Sequence, residues 1–166
     1  MRRKTTRAAQ VLAVVSCCAA VTAGSTGASA ATHGPGPVRS HANHQCLDAD
    51  LRAIGENGAG AQLWKCHGMN NQKWNYDPRA RTIRSNYNGR CLDADLGMIG
   101  RNGTKVQLWD CNGGHHQKWI YDAISHTVYN MHNGRCLDAD LGGVGGNGAK
   151  VQLWDCNGWS NQKWTL

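Results

Sequence analysis

The hexapeptide Cys-Leu-Asp-Ala-Asp-Leu is written three times, beginning at Cys46, Cys91 and Cys136, at a constant interval of 45 residues. Each copy puts a carboxylate two positions after its cysteine, at Asp48, Asp93 and Asp138. Each is followed by Gln-Leu-Trp, giving the pairs Gln62 and Trp64, Gln107 and Trp109, and Gln152 and Trp154. Each then closes on Gln-Lys-Trp, preceded by Asn71, His116 or Asn161. A carboxylate accepts hydrogen bonds from two neighbouring hydroxyls at once, an amide both donates and accepts, and an indole offers a flat, rigid apolar surface. Such a set suits a ligand with hydroxyls around its edge and C–H groups on one face, as a pyranose has. In the third copy Trp159 stands two residues before Asn161, where the others have Met69 and Gly114, and supplies a second aromatic wall.

Other chemistries fit less well. The second acids, Asp50, Asp95 and Asp140, raise the thought of a calcium site, an Asp-x-Asp transferase motif or a glycosidase pair. Calcium wants six or more oxygens, and no dense acidic loop follows. Hydrolysis needs two carboxyls held in different environments, and three near-identical copies supply no asymmetry. These acids therefore read as turn or rim residues. His115, His116 and the other histidines lack metal-ligand spacing and read as solvated. No nucleophile–base pattern stands out, so the expectation is a protein with no catalysis, no metal and no cofactor. Asn102-Gly103-Thr104 is a glycosylation sequon.

The elements that must position these residues are repeats. "CLDADLGMIGRNGTKVQLWDC" and "CLDADLGGVGGNGAKVQLWDC" differ at four positions, and "CLDADLRAIGENGAGAQLWKC" follows the same pattern. Short apolar alternations bounded by Asn-Gly pairs (Asn57-Gly58, Asn88-Gly89, Asn102-Gly103, Asn133-Gly134, Asn147-Gly148) are strand and hairpin punctuation, and no window sustains a helical period. Each unit reads as about four strands, in the second copy "TIRSN", "CLDAD", "KVQLWD" and "QKWIYD". One such unit cannot bury its own apolar face. Three together predict a closed, barrel-like all-β domain with pseudo-threefold symmetry, in units of about 36–80, 81–125 and 126–166. Trp74, Trp119 and Trp164 read as shared core, joined by Leu47, Leu63, Leu92, Leu108, Leu137 and Leu153. Strand alternation puts Val106 and Leu108 on the core face and Gln107 and Trp109 outward.

The first thirty residues read differently. Residues 1–7 carry four positive charges and no acid, an apolar run follows, and Ala28-Ser29-Ala30 is a small-residue cleavage site, so 1–30 reads as a secretory signal peptide and 31–35 as a short tail. A lipoprotein box ending at Cys17 is the weaker alternative. The chain's formal net charge is +7, but Arg2, Arg3, Lys4 and Arg7 lie in the leader, which leaves +3. With no Lys/Arg cluster after it, neither nucleic-acid binding nor an anionic membrane surface is expected, and no later stretch is apolar enough to span a bilayer. Of the eight cysteines, six follow the leader, and an even count in an exported chain reads as disulfides. Six cysteines allow 15 connectivities. The simplest pairs those twenty apart within each unit: Cys46 with Cys66, Cys91 with Cys111, Cys136 with Cys156.

The triplication, the Cys-Leu-Asp start, the Gln-Leu-Trp-x-Cys segment and the closing Gln-x-Trp resemble the ricin B-type lectin β-trefoil, including the sugar-binding modules attached to bacterial xylanases. That resemblance covers essentially all of 36–166. It implies a pocket made by Asp48, Gln62, Trp64 and Asn71 in the first lobe and by Asp138, Gln152, Trp154 and Asn161 in the third. The second lobe keeps Asp93, Gln107 and Trp109 but departs from the pattern at His116. Gln72, Gln117 and Gln162 read as braces. The implied partner is carbohydrate (galactosides, xylan or related polysaccharide, cell-surface glycans), bound by a secreted monomer. The competing reading is a β-trefoil inhibitor that blocks a protein partner. It needs one distinctive protruding loop, where this chain offers three similar short turns.

Overall fold

The computed structural model describes residues 33–166. The expected leader, with its cleavage and lipid-attachment readings, lies outside the described residues. Within them the chain is all-β. A short strand β1 (His33–Gly36) precedes three four-stranded units. The first is β2 (Arg39–Ser40), β3 (Cys46–Ala49), β4 (Ala59–Trp64) and β5 (Trp74–Asp77). The second is β6 (Thr82–Ser85), β7 (Cys91–Ala94), β8 (Thr104–Trp109) and β9 (Trp119–Asp122). The third is β10 (Thr127–Asn130), β11 (Cys136–Ala139), β12 (Ala149–Trp154) and β13 (Trp164–Thr165). Residues 33–36, read from sequence as the junction of tail and first unit, pair with β5. Pairing there uses backbone groups on an outer strand, where Pro35 is tolerated and no apolar alternation is needed to signal it.

The pseudo-threefold axis is visible in the pairing. The third strand of every unit pairs with the other two: Ala59 lies opposite Leu108 (β4 and β8), Thr104 opposite Leu153 (β8 and β12), and Ala149 opposite Leu63 (β12 and β4). The fourth strand of each unit pairs with the first of the next, as β5 with β6, β9 with β10, and β13 with β2. The last of these brings the chain back to its beginning, so the sheet has threefold closure.

Periodicity explains the core. Along β8 Val106 and Leu108 are fully buried while Lys105 and Trp109 are exposed. Leu47, Leu63, Leu92, Leu108, Leu137 and Leu153 pack with Trp74, Trp119 and Trp164 in one cluster. Each indole N–H donates to the carbonyl of the Cys-Leu-Asp leucine in its own unit, at 2.9, 2.8 and 2.9 Å, which satisfies the one polar atom that burial strands. The disulfides are Cys46–Cys66, Cys91–Cys111 and Cys136–Cys156. Each ties the first residue of its unit's second strand to the second residue past its third, the platform strand (β4, β8 or β12), and each contributes roughly 3 kcal/mol by restricting the unfolded chain.

Three Asn-Gly pairs do more than turn the chain. At Gly58, Gly103 and Gly148 φ is 93°, 88° and 87°, a region that side-chain-bearing residues disfavour. Their N–H groups donate to Leu108, Leu153 and Leu63, on the platform strand of a different unit in each case. The preceding Asn57, Asn102 and Asn147 accept through Oδ1 from the N–H of Asp110, Asp155 and Lys65, each at 2.8 Å. These turns are clamps between units.

Candidate functional site

Antiparallel register builds each site. Asp48 faces Gln62 across β3 and β4, Asp93 faces Gln107 across β7 and β8, and Asp138 faces Gln152 across β11 and β12. A single 3-10 turn then returns the chain, at Asn70–Gln72, His115–Gln117 and Ser160–Gln162. In the first unit Gln62 donates to Asp48 Oδ1 at 3.1 Å, while Asn71 and Gln72 donate to Oδ2 at 2.8 and 2.9 Å. The third repeats this at Asp138 with Gln152, Asn161 and Gln162, at 3.1, 2.8 and 2.8 Å. In the second, Gln107 and Gln117 donate to Asp93 at 3.1 and 2.9 Å, and His116 Nε2 stands 3.3 Å from Oδ2.

Gln72, Gln117 and Gln162 each also donate to the carbonyl of residue 65, 110 or 155 and accept from the N–H of residue 67, 112 or 157. All three are buried and fully engaged, so they fix the carboxylate and the disulfide-bearing loop together. Gln107, expected outward, is only 6% exposed, because Asp93 and the rim cover its amide. Burial raises the Asp93 and Asp138 carboxyls above the ordinary carboxylate value, partly countered by hydrogen bonds from Gln117 and Gln107, and from Gln162 and Gln152.

Above these polar floors stand the platform indoles. Trp109 and Trp154 are each 39% exposed, and Trp159, 61% exposed, joins Trp154 in one cleft with Asp138, Gln152 and Asn161. The clefts differ in size: about 650 Å³ in the first unit, 170 Å³ in the second and 300 Å³ in the third. His116 accounts for the smallest. Its ring is 8% exposed and folds over Gly114, so that a Cβ there would fall 2.3 Å from its Cε1. Met69 and Trp159 occupy the equivalent place in the other units. Among the described residues Asn71 Oδ1 and Asn161 Oδ1 are buried without a hydrogen-bond partner, an arrangement that costs about 1–3 kcal/mol apiece.

The structure brings together every residue that the sequence reading assigned to each site, and adds others. His67 Nε2 lies 3.5 Å from Asp48 Oδ2, and His116 is buried, so these two histidines are not simply solvated. Leu51 lines the first cleft, Leu96 the second and Leu141 the third. The signal available for these was an apolar residue at the same place in every copy, left exposed by the fold. Asn147 and Gly148 reach the first cleft from the third unit. Asp50, Asp95 and Asp140 accept the backbone N–H two residues on, as turn residues do; Asp50 alone also takes a two-pronged Arg52, which holds its carboxyl below the ordinary value. Both polar atoms of the Asn102 side chain are engaged, the amide with Asp155 and the oxygen with Arg135.

A carboxylate braced by amides beneath an indole, half-buried at Trp64 and exposed at Trp109 and Trp154, recurs three times on a threefold β-scaffold. A family model for the ricin-type beta-trefoil lectin domain matches residues 34–166, and the chain belongs to that family. No curated protein matches it in sequence. Among solved structures it is similar to the designed threefold-symmetric protein ThreeFoil, with 23% identity over 80% of this chain and 96% of that one, at a TM-score of 0.72. It is similar also to the C-half of the earthworm R-type lectin, solved in complex with GalNAc, with 23% identity over 78% and 94% and a TM-score of 0.61. A third likeness, with 24% identity and a TM-score of 0.70, is to an exo-beta-1,3-galactanase from Clostridium thermocellum, where it covers 80% of this chain and 29% of that one. At these identities the likeness is one of fold. No helix among the described residues is long and apolar enough to cross a membrane.

Proposed function

We propose that this is a secreted, non-catalytic carbohydrate-binding protein with up to three pockets for galactose- or xylose-type glycans. The carrying observation is the threefold recurrence of an indole, exposed in the second and third units and half-buried in the first, above a buried, amide-braced carboxylate. The indole takes the C–H face of a pyranose, and Asp48, Asp93 or Asp138 takes its hydroxyls. Asn71 and Asn161 each keep an unpaired oxygen at the floor, which a sugar hydroxyl could satisfy. Both oxygens are sealed from solvent, so a hydroxyl reaches them only if the floor gives slightly.

The pockets rank third, first, second. The third has two indole walls, Trp154 and Trp159, around Asp138 and Asn161. The first keeps Asp48, Gln62, Trp64 and Asn71 with a single indole. The second has His116 in place of the amide and the smallest volume, 170 Å³. Open clefts of this kind retain solvent, so single-site dissociation constants are on the order of a millimolar, about −4 kcal/mol. Several sites on one polymer raise apparent affinity tenfold or more. A glycan array probed with residues 31–166, followed by calorimetry on a bound monosaccharide and its polysaccharide, tests this. Silence across the array, or equal affinity for monomer and polymer per protein molecule, would count against it.

A further inference from the structure

The first pocket differs from its two copies in what lies beside it. A second cleft, about 440 Å³, is lined by Leu51, Met69, Asn70, Asn71 and Tyr87. Leu51, Met69 and Asn71 line the primary pocket as well, so the two are continuous. Tyr87 belongs to the second unit in sequence but not in space. Its turn is pinned to the first unit from both sides: Asn86 donates to Asn70 Oδ1 at 3.3 Å, Asn88 donates to the Ile54 carbonyl at 2.7 Å, and Arg90 donates to the Gly55 carbonyl at 2.6 Å. The ring is 53% exposed, and among the described residues its hydroxyl has no partner. It is therefore an aromatic face held in place before any ligand arrives, next to an apolar pair, Leu51 and Met69, both also exposed. The other units lack this set. Where the first has Met69 and Tyr87, the second has Gly114 and His132, and the third has Trp159 and Ala42.

We infer that Tyr87, with Leu51 and Met69, forms a second sugar subsite that takes the next pyranose of a chain whose first residue sits on Trp64 and Asp48. This rests on the sugar-pocket reading of the first unit. The first unit is then the one that reads chain length, while the third, closed in by Trp159, holds a single terminal residue. An aromatic ring under a pyranose buries apolar area on both partners, and the gain expected from it is roughly three- to tenfold in affinity.

The test isolates the first unit by Trp109→Ala, Trp154→Ala and Trp159→Ala, all at exposed rings, and compares xylose with xylotriose and galactose with lactose by calorimetry. In that background Tyr87→Ala should leave monosaccharide affinity within about twofold and weaken the matching longer sugar about three- to tenfold, and Tyr87→Phe should retain both. Equal effects on short and long sugars, no effect on either, or a longer sugar that binds no tighter than its monosaccharide before Tyr87 is changed would each overturn the subsite alone. Absence of binding to all four sugars by the background protein, with its fold intact, overturns the sugar pocket itself and the subsite with it. Trp64→Ala provides the reference in which both classes of sugar are lost together.

Discussion

Gly114 and His116 should behave as one unit, and their coupling can be measured. Gly114 has φ −62° and ψ 155°, an extended conformation open to any residue, so only space restrains it. A Cβ there would meet His116 Cε1 at 2.3 Å and Nδ1 at 2.6 Å, far inside the 3.5–4.0 Å or so of ordinary carbon contact. The ring must leave its buried seat beside Asp93, and such overpacking costs about 1–3 kcal/mol. The gain from stiffening the unfolded chain offsets about 0.4–1 kcal/mol of that. Gly114→Ala alone should thus destabilise by about 1–2 kcal/mol. In a His116→Asn background only Asn112 Oδ1, 3.1 Å from the Cβ, stays close, an arrangement that Trp159 already accommodates over Asn157 in the third unit, and the same change should stabilise by about 0.4–1 kcal/mol. Urea denaturation of the parent, both single variants and the double variant, with disulfides intact, gives the coupling, expected at about 1–3 kcal/mol. Additivity within about 0.5 kcal/mol would show that the ring does not occupy that space, and the account of the small second pocket would fail.

Three further outcomes are expected. Reduction should cost roughly 2–5 kcal/mol for each bridge, and a non-reduced digest should yield Cys46 with Cys66, Cys91 with Cys111 and Cys136 with Cys156; a peptide joining two units would contradict the structure. Titration of a sugar found by array against Asp48→Ala, Asp93→Ala and Asp138→Ala, each checked for native folding, should show the largest loss for Asp138→Ala and the smallest for Asp93→Ala; the reverse order would refute the roles given to Trp159 and His116. On the proposed reading, binding at the third pocket uses ionised Asp138, whose carboxyl burial raises above the ordinary carboxylate range. Acid therefore protonates it before an ordinary carboxyl, and affinity should fall by about tenfold per pH unit below that raised value. Because a raised carboxyl disfavours the native state only while ionised, its protonation does not itself unfold the protein; binding should vanish at a higher pH than the circular dichroism signal, and coincident losses would refute this.

The interval of 45 residues carried the architecture, because a unit repeated with constant spacing can close only on its own copies. Leu47, Trp74 and their equivalents were legible as core for the same reason, and so were the disulfides, since a pair recurs at one spacing in every copy. The facing of Asp48 and Gln62 followed from shared motifs, but its tightness did not: the burial of Gln107 depends on a lid of neighbours that strand alternation ignores. Long-range placement was the harder part. Nothing local to Asn147-Gly148 says that the turn reaches Trp64, or local to Tyr87 that it serves the preceding unit. His67 beside Asp48, and His116 over Gly114, are facts of side-chain packing that no spacing encodes.

The clamps run round the molecule in one direction. The turn at Gly58 lies against Trp109 of the next unit, that at Gly103 against Gln152 of the one after, and that at Gly148 against Trp64 of the first. A single copy therefore carries an indole wall and a buttress that do not belong to each other. Cut free, it would have to gather two companions in a ring before any wall was supported, and a gene holding two copies would leave one wall unsupported. Three is the smallest number at which a lone polypeptide becomes self-sufficient, and a change in one copy's turn is inherited as an altered pocket in its neighbour.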